Sequence, residues 1–407
     1  MYVFSFPFLI GCMNLSFMYP QIDTILSLRL FSEAELVIPM VSFILCTAAS
    51  WIGFNWGRGK YRDVEFDGLT YRSETREINF RRLLTVIILF FIVGATAYYL
   101  NRGVYKGGKV SGAYVVVNFF AGYLNYALIL ILLGYSVVKR QGRNVLLVLL
   151  ALSILIGLDM FVQQARRANA AIYFLCIIFF YCASLDRKRY RLMKWSVPMF
   201  FFVGTIFSSN IGQYRINAYA QKTDAWDNIE QALTTDSKRS KRESIWSVSE
   251  VRNAISGINF CYATGDYDLG ATNWNGVVGP IVPKALVGAK VKESLMIDAS
   301  YSALRDKLTK SGSTMTGYFD AFGSFGLLGF IKFLIIGYIM GALWRRMEVS
   351  YISLFLYLAL LTPALHIVSH SSNNFVAALV LYAILVYPFL TWCIGRKRKK
   401  AVRYPMV

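Results

Sequence analysis

Three places carry the four arginines with which this chain could do chemistry. In "GLDMFVQQARRANAAIY", Asp159, Gln163, Arg166 and Ala170 recur at helical spacing and could share one face, with Arg167 beside them. Arg215 stands in "SSNIGQYRINAY" and Arg252 in "VSEVRNAISGI". A guanidinium presents two parallel N–H donors that match a phosphate, so these residues suit an anionic substrate such as a diphosphate. They equally suit an Asp–Arg structural pair, or side chains reaching for lipid headgroups.

Acids and bases are fewer. Asp320 is the one carboxylate in "KSGSTMTGYFDAFGSFGLLGF", residues 310–330, between a small, hydroxylated run and a Gly-x-x-Gly-x-x-Gly entry into an apolar stretch. Ser311, Ser313, Thr314 and Thr316 offer hydrogen bonds to sugar hydroxyls. Gly323, Gly326 and Gly329 let backbone approach backbone or substrate, or serve as a small-residue packing face. Glu250 completes a capping box with Ser247, and is a second candidate base. His366 and His370, the only histidines, lie four apart. That spacing can bind a metal, but no third ligand is near in sequence. His370 as a proton-transfer group and His370 as a hydrogen-bonded structural residue are both open. No phosphate-binding P-loop, H-E-x-x-H or G-x-S-x-G occurs, which argues against ATP, zincin and α/β-hydrolase chemistry.

The elements that must hold these residues are membrane helices. Of 407 residues 56% are apolar and the mean hydropathy is +0.47. Several apolar runs reach about 18 residues, enough to cross a bilayer. Ten spans are expected, at about 1–18, 35–56, 83–100, 113–138, 144–162, 169–184, 195–211, 324–344, 349–368 and 375–395. With the N-terminus inside, the cytoplasmic segments hold 23 Lys and Arg and the short external ones 6. Both termini then lie in the cytoplasm, and the net charge of +20 needs no nucleic-acid partner. The expected domains are spans 1–7 over 1–211, a large external loop over 212–323, spans 8–10 over 324–395 and a basic tail over 396–407. The loop's 13 basic and 12 acidic residues, its aromatics and a helix near 248–258 predict a folded cap. "DYDLGATNWNG" and "GPIVPKALVG" read as turn-rich. Six cysteines show neither metal nor disulfide spacing.

Three stretches resemble the Wzy-type polysaccharide repeat-unit polymerases. "QQARRANAAIY" is similar to that family's Arg-containing turn into a mid-chain helix. "DYDLGATNWNGVVGPIVPKALVGAK" is similar to its I-x-P-(Arg/Lys) … Lys segment, with Pro283, Lys284 and Lys290 in place. "STMTGYFDAFGSFGLLGF" resembles its acidic, aromatic-glycine entry into the next helix, where Asp320 replaces the usual Glu. The resemblance implies an all-α polytopic membrane protein of GT-C-like (class B) architecture in the bacterial inner membrane. It implies a metal-independent, cofactor-free glycosyltransferase that moves an oligosaccharide from polyprenyl diphosphate to a sugar of another lipid-linked repeat unit, with a chain-length regulator as partner. With the residue reading above, the candidates are Arg166, Arg167, Arg215 and Arg252 for the diphosphate, Asp320, Glu250 and His370 for catalysis, and Ser313, Thr314, Tyr318 and Lys284 for the glycan. An O-antigen-ligase-like transferase would share the donor. A transporter would usually show internal repeats and short loops.

Overall fold

A computed structural model describes residues 2–59, 78–101, 117, 120–137, 142–164, 167–184, 195–199, 249–282, 284–298, 315–347 and 350–393. Among these no strand occurs. The described helices of the first half are α1 (Phe6–Met13), α2 (Tyr19–Ser27), α3 (Glu33–Arg58), α4 (Phe80–Asn101), α5 (Tyr123–Val137), α6 (Arg143–Gln164) and α7 (Arg167–Ser184). Those of the second half are α8 (Ser249–Thr264), α9 (Ala271–Ile281), α10 (Lys284–Val287), α11 (Ala289–Ser294), α12 (Gly317–Phe325), α13 (Phe330–Arg346), α14 (Tyr351–His366), α15 (Asn373–Leu381) and α16 (Tyr387–Cys393). Among the described residues, five helical stretches are long and apolar enough to cross a membrane: Glu33–Arg58, Phe80–Leu100, Arg143–Met160, Gly317–Arg346 and Asn373–Cys393. Tyr123–Tyr135 and Tyr351–His366 are shorter apolar helices. The chain is thus an all-α, multi-pass membrane protein.

Glycine lets two helices meet backbone to backbone. Gly53 and Gly57 of α3 face Gly337 and Gly341 of α13, each pair in G-x-x-x-G spacing. A Cβ on Gly53 would collide with the Leu334 carbonyl oxygen, on Gly57 with that of Tyr338, on Gly337 with that of Ser50, and on Gly341 with that of Phe54. The register rises on both helices together, so the two run parallel. In an apolar solvent such pairs gain from van der Waals contact and Cα–H···O approach rather than from hydrophobic burial.

Prolines inside helices leave carbonyls that other helices use. Proline has no N–H, so the carbonyl four residues earlier loses its helical donor. Pro363 in α14 frees Ala359 O, and the Tyr382 hydroxyl donates to it at 3.0 Å. Pro39 in α3 frees Glu35 O, and the Asn259 side-chain amide of α8 donates to it at 2.9 Å. Two π-turns, Asn14–Met18 and Tyr382–Val386, each precede a proline by two residues, Pro20 and Pro388. They absorb the missing bond without breaking the helix.

These contacts define two ends of the bundle. At one, Asn79 N–H donates to Cys393 O at 2.9 Å and the Arg82 guanidinium to Trp392 O at 3.1 Å, joining the start of α4 to the end of α16. At the other, α8–α11 form a helical cap. Val251 N–H, near the start of α8, bonds Gln21 Oε1 of α2 at 3.2 Å. The cap covers the end where α3, α12 and α15 begin and α14 finishes.

Two expectations are corrected locally. Residues 271–281, read as turn-rich, are helical. The Asp268 carboxylate accepts from Gly270 N–H and Thr272 N–H at 3.0 Å each, capping the helix despite its glycines. Residues 317–323, read as the end of the loop, belong to helix α12 (Gly317–Phe325), and Gly317–Ser324 are buried.

Candidate functional site

Helix α12 is clamped at both ends. Thr316 Oγ1 accepts from Phe319 N–H at 3.2 Å, and Gly317 N–H donates to Ile367 O at 2.8 Å. A Cβ on Gly317 would overlap that same carbonyl, so the close approach requires glycine. At the far end Gly326 turns the chain at φ +59°. There Asp268 N–H and Leu269 N–H take Gly323 O at 2.9 Å and Ser324 O at 3.1 Å. Those are carbonyls the helix leaves unpaired at its C-terminus.

This double clamp buries Asp320, whose relative exposure is 0%. Its Oδ2 accepts from both the N–H and the hydroxyl of Ser372, in the turn between α14 and α15. Its Oδ1 faces Lys332 Nζ at 3.6 Å and makes no hydrogen bond. The ammonium, 13% exposed, donates to Ser324 Oγ at 2.6 Å and to Asp320 O at 3.2 Å. A buried carboxylate survives at membrane depth only with such partners.

The network continues into the cap. Asn273 Nδ2 donates to Ser372 Oγ at 3.0 Å and to Asn373 Oδ1 at 2.6 Å, and Asn373 Nδ2 returns a bond to Thr272 O at 3.0 Å. Gly276 lets Asn373 in: a Cβ there would stand 2.6 Å from its Cγ. Thr272 Oγ1, Asn273 Oδ1 and Asp320 Oδ1 keep acceptor capacity, since none has a hydrogen-bond partner among the described residues. His370 sits on the same turn, two residues before Ser372. Its Nδ1 lies 2.8 Å from Ser369 Oγ, and its ring stacks on His366 with centroids 5.3 Å apart. The turn therefore brings Asp320 and His370, distant in sequence, to one place beneath the cap.

The remaining expected residues scatter. Glu250 and Arg252 lie half-buried in the first turns of α8, flanking the Val251–Gln21 bond. Lys284 is exposed at the start of α10. Tyr318, assigned to glycan, is 1% exposed and points into the bundle. Its hydroxyl donates to Asn14 Oδ1 at 2.8 Å and meets Thr47 Oγ1 at 3.3 Å. Arg167 opens α7, but its side chain, with Arg166, Arg215, Ser313 and Thr314, lies outside the described residues. Asp159 accepts from the Tyr98 hydroxyl at 2.7 Å. Among the described residues no group of three or more His, Cys, Asp and Glu could hold a metal ion.

Near the cap, burial pushes the Cys261 thiol up to about 12, with the Asp266 and Asp268 carboxylates adding to the effect. Burial raises the Tyr267 phenol too.

Sequence reading missed Lys332, Ser372 and Asn273. Lys332 did carry a signal, as the only charge between Asp320 and Arg345 in an apolar run. Ser372 and Asn273 are short polar residues in polar surroundings and carried none. No protein-family model, curated protein or solved structure matches the chain.

Proposed function

We propose that the chain is a glycan polymerase. It transfers a growing oligosaccharide from polyprenyl diphosphate to a sugar hydroxyl of another lipid-linked repeat unit, at the outer face of the cell membrane. In this reading it has ten spans in a GT-C-like arrangement, cytoplasmic termini and an external cap. The supporting observation is the placement of the cap, through Asn273, against the Asp320–Ser372 pair on the His370 turn at one end of an apolar bundle.

Arg252, with Arg166, Arg167 and Arg215, holds the diphosphate. Negative charge grows on that leaving group as the glycosidic bond breaks, and fixed guanidinium donors stabilise it. The attacking hydroxyl needs a base. His370 and Glu250 are only half-buried, whereas Asp320 is wholly enclosed. His370 is therefore the preferred base. Asp320 is a positioning residue that holds the His370 turn through Ser372. Direct displacement inverts the anomeric carbon.

The test is purified protein in nanodiscs with a polyprenyl-diphosphate-linked repeat unit from its own host, without ATP, the products resolved on a gel. A ladder spaced by one repeat unit supports the proposal. Its loss in Arg252→Ala and His370→Ala, with folding intact, supports the assigned roles. Transfer to a lipid A core instead would favour a ligase. No transfer from an authenticated substrate would sink the enzyme reading.

A further inference from the structure

We propose that the turn joining α8 to α9 is a membrane wedge, with Leu269 seated among the acyl chains of the leaflet on the cap side. Leu269 combines two costs that a water-facing turn would not retain. Its side chain is 76% exposed, and its backbone sits at φ +50°, a region unfavourable to a branched side chain. Neither reflects a slack loop. The Leu269 N–H is bound to Ser324 O, Asp268 N–H to Gly323 O, and the Asp268 carboxylate caps α9. The fold holds this leucine outward.

What it joins identifies the occupant. Gly270 packs beside the Phe325 ring, where a Cβ would lie 3.6 Å from Cζ. Phe325, Leu327 and Leu328 are themselves exposed. From Leu328 the exposed surface runs down α13 through Ile331, Ile335 and Tyr338, at three- and four-residue spacing. α13 belongs to a stretch apolar and long enough to cross the membrane, and its glycines at 337 and 341 are occupied by α3. The ridge from 269 to 338 is thus one continuous apolar surface. Hydrocarbon is the solvent that already faces its lower part. Its upper limit is polar: Asp266 is exposed three residues before Leu269, and Tyr262, also exposed, suits the headgroup layer. The turn enters no deeper than the boundary of headgroup and acyl chain.

The test places a nitroxide at Leu269→Cys in the full chain in nanodiscs, with unsubstituted protein taken through the same labelling as baseline. Collision with oxygen, which concentrates in lipid, is compared with collision with a neutral nickel chelate, which stays in water. Ile335→Cys gives the lipid reference and Glu293→Cys, exposed on α11, the water reference. The oxygen-to-chelate ratio at 269 is expected to approach that at 335 and to exceed that at 293 several-fold. Leu328→Cys, on the same ridge, is expected to match it and serves if Leu269→Cys misfolds. A ratio like that at 293 overturns the proposal. So does exclusion of both probes, which would mean that another protein surface covers the ridge.

Discussion

Pro39 and Asn259 meet through a single carbonyl. The proline removes the helical donor to Glu35 O, and the asparagine of the cap, 224 residues from Glu35, supplies a replacement at 2.9 Å. A bond of this kind contributes about 1 kcal/mol. Asn259→Leu is expected to lower stability by about that much in the native chain. It should cost far less in a Pro39→Ala background, where an N–H returns to the helix. A double-mutant cycle by thermal unfolding in detergent reads the difference. Equal costs in both backgrounds would show that the bond does not depend on the proline.

The glycine face between α3 and α13 leaves no room for a methyl group. Gly57→Ala or Gly341→Ala must push two backbones apart, and overpacking of this kind costs about 1–3 kcal/mol. Gly279→Ala, where nothing lies within 4 Å of a Cβ, is the control and should be close to neutral. Monodispersity after graded heating separates them.

Asp320 and Lys332 should behave as one unit. Asp320→Ala strands an ammonium at membrane depth, and breaking a buried pair costs about 3–5 kcal/mol. Lys332→Met strands the carboxylate at similar cost. The double variant is expected to recover much of the loss. If it restores folding and polymer synthesis together, the Asp320 carboxylate serves only to pair Lys332. Restored folding without synthesis would assign Asp320 to the chemistry itself.

Cys261 is predicted to resist alkylation. It is 0% exposed and its thiol is pushed up to about 12, so at pH 8 almost none is the reactive thiolate. Maleimide labelling followed by mass spectrometry should find Cys261 unmodified in the native protein and modified after denaturation. Rapid native labelling would mean that α8 leaves the bundle readily.

The spanning helices were the legible part. The apolar stretches at 35–56 and 83–100 fall within α3 and α4, and 375–395 runs through α15, a π-turn and α16. Length and composition decide such segments, because lipid forbids an unpaired backbone. Helix α12 was not legible. "GYFDAFGSF" has two glycines and little intrinsic helix preference. It is helical because Ile367 O holds its first residue while Asp268 and Leu269 cover its last carbonyls. Those partners are far away in sequence. The candidate site follows the same rule: Asp320 could be picked out by its charge, but Ser372 and Asn273, which give it meaning, could not. Tyr318 shows the same limit, since nothing near it in sequence points to Asn14 and Thr47, to which it ties α12.

The parallel pairing of α3 with α13 also bears on biosynthesis. α3 leaves the ribosome early, and the glycine surface that complements it is translated only in the last quarter of the chain. Until then Gly53 and Gly57 offer the bilayer an unfilled backbone groove. Nascent chains that stop short of α13 carry that groove permanently, a mark by which membrane quality control could tell an unfinished molecule from a finished one.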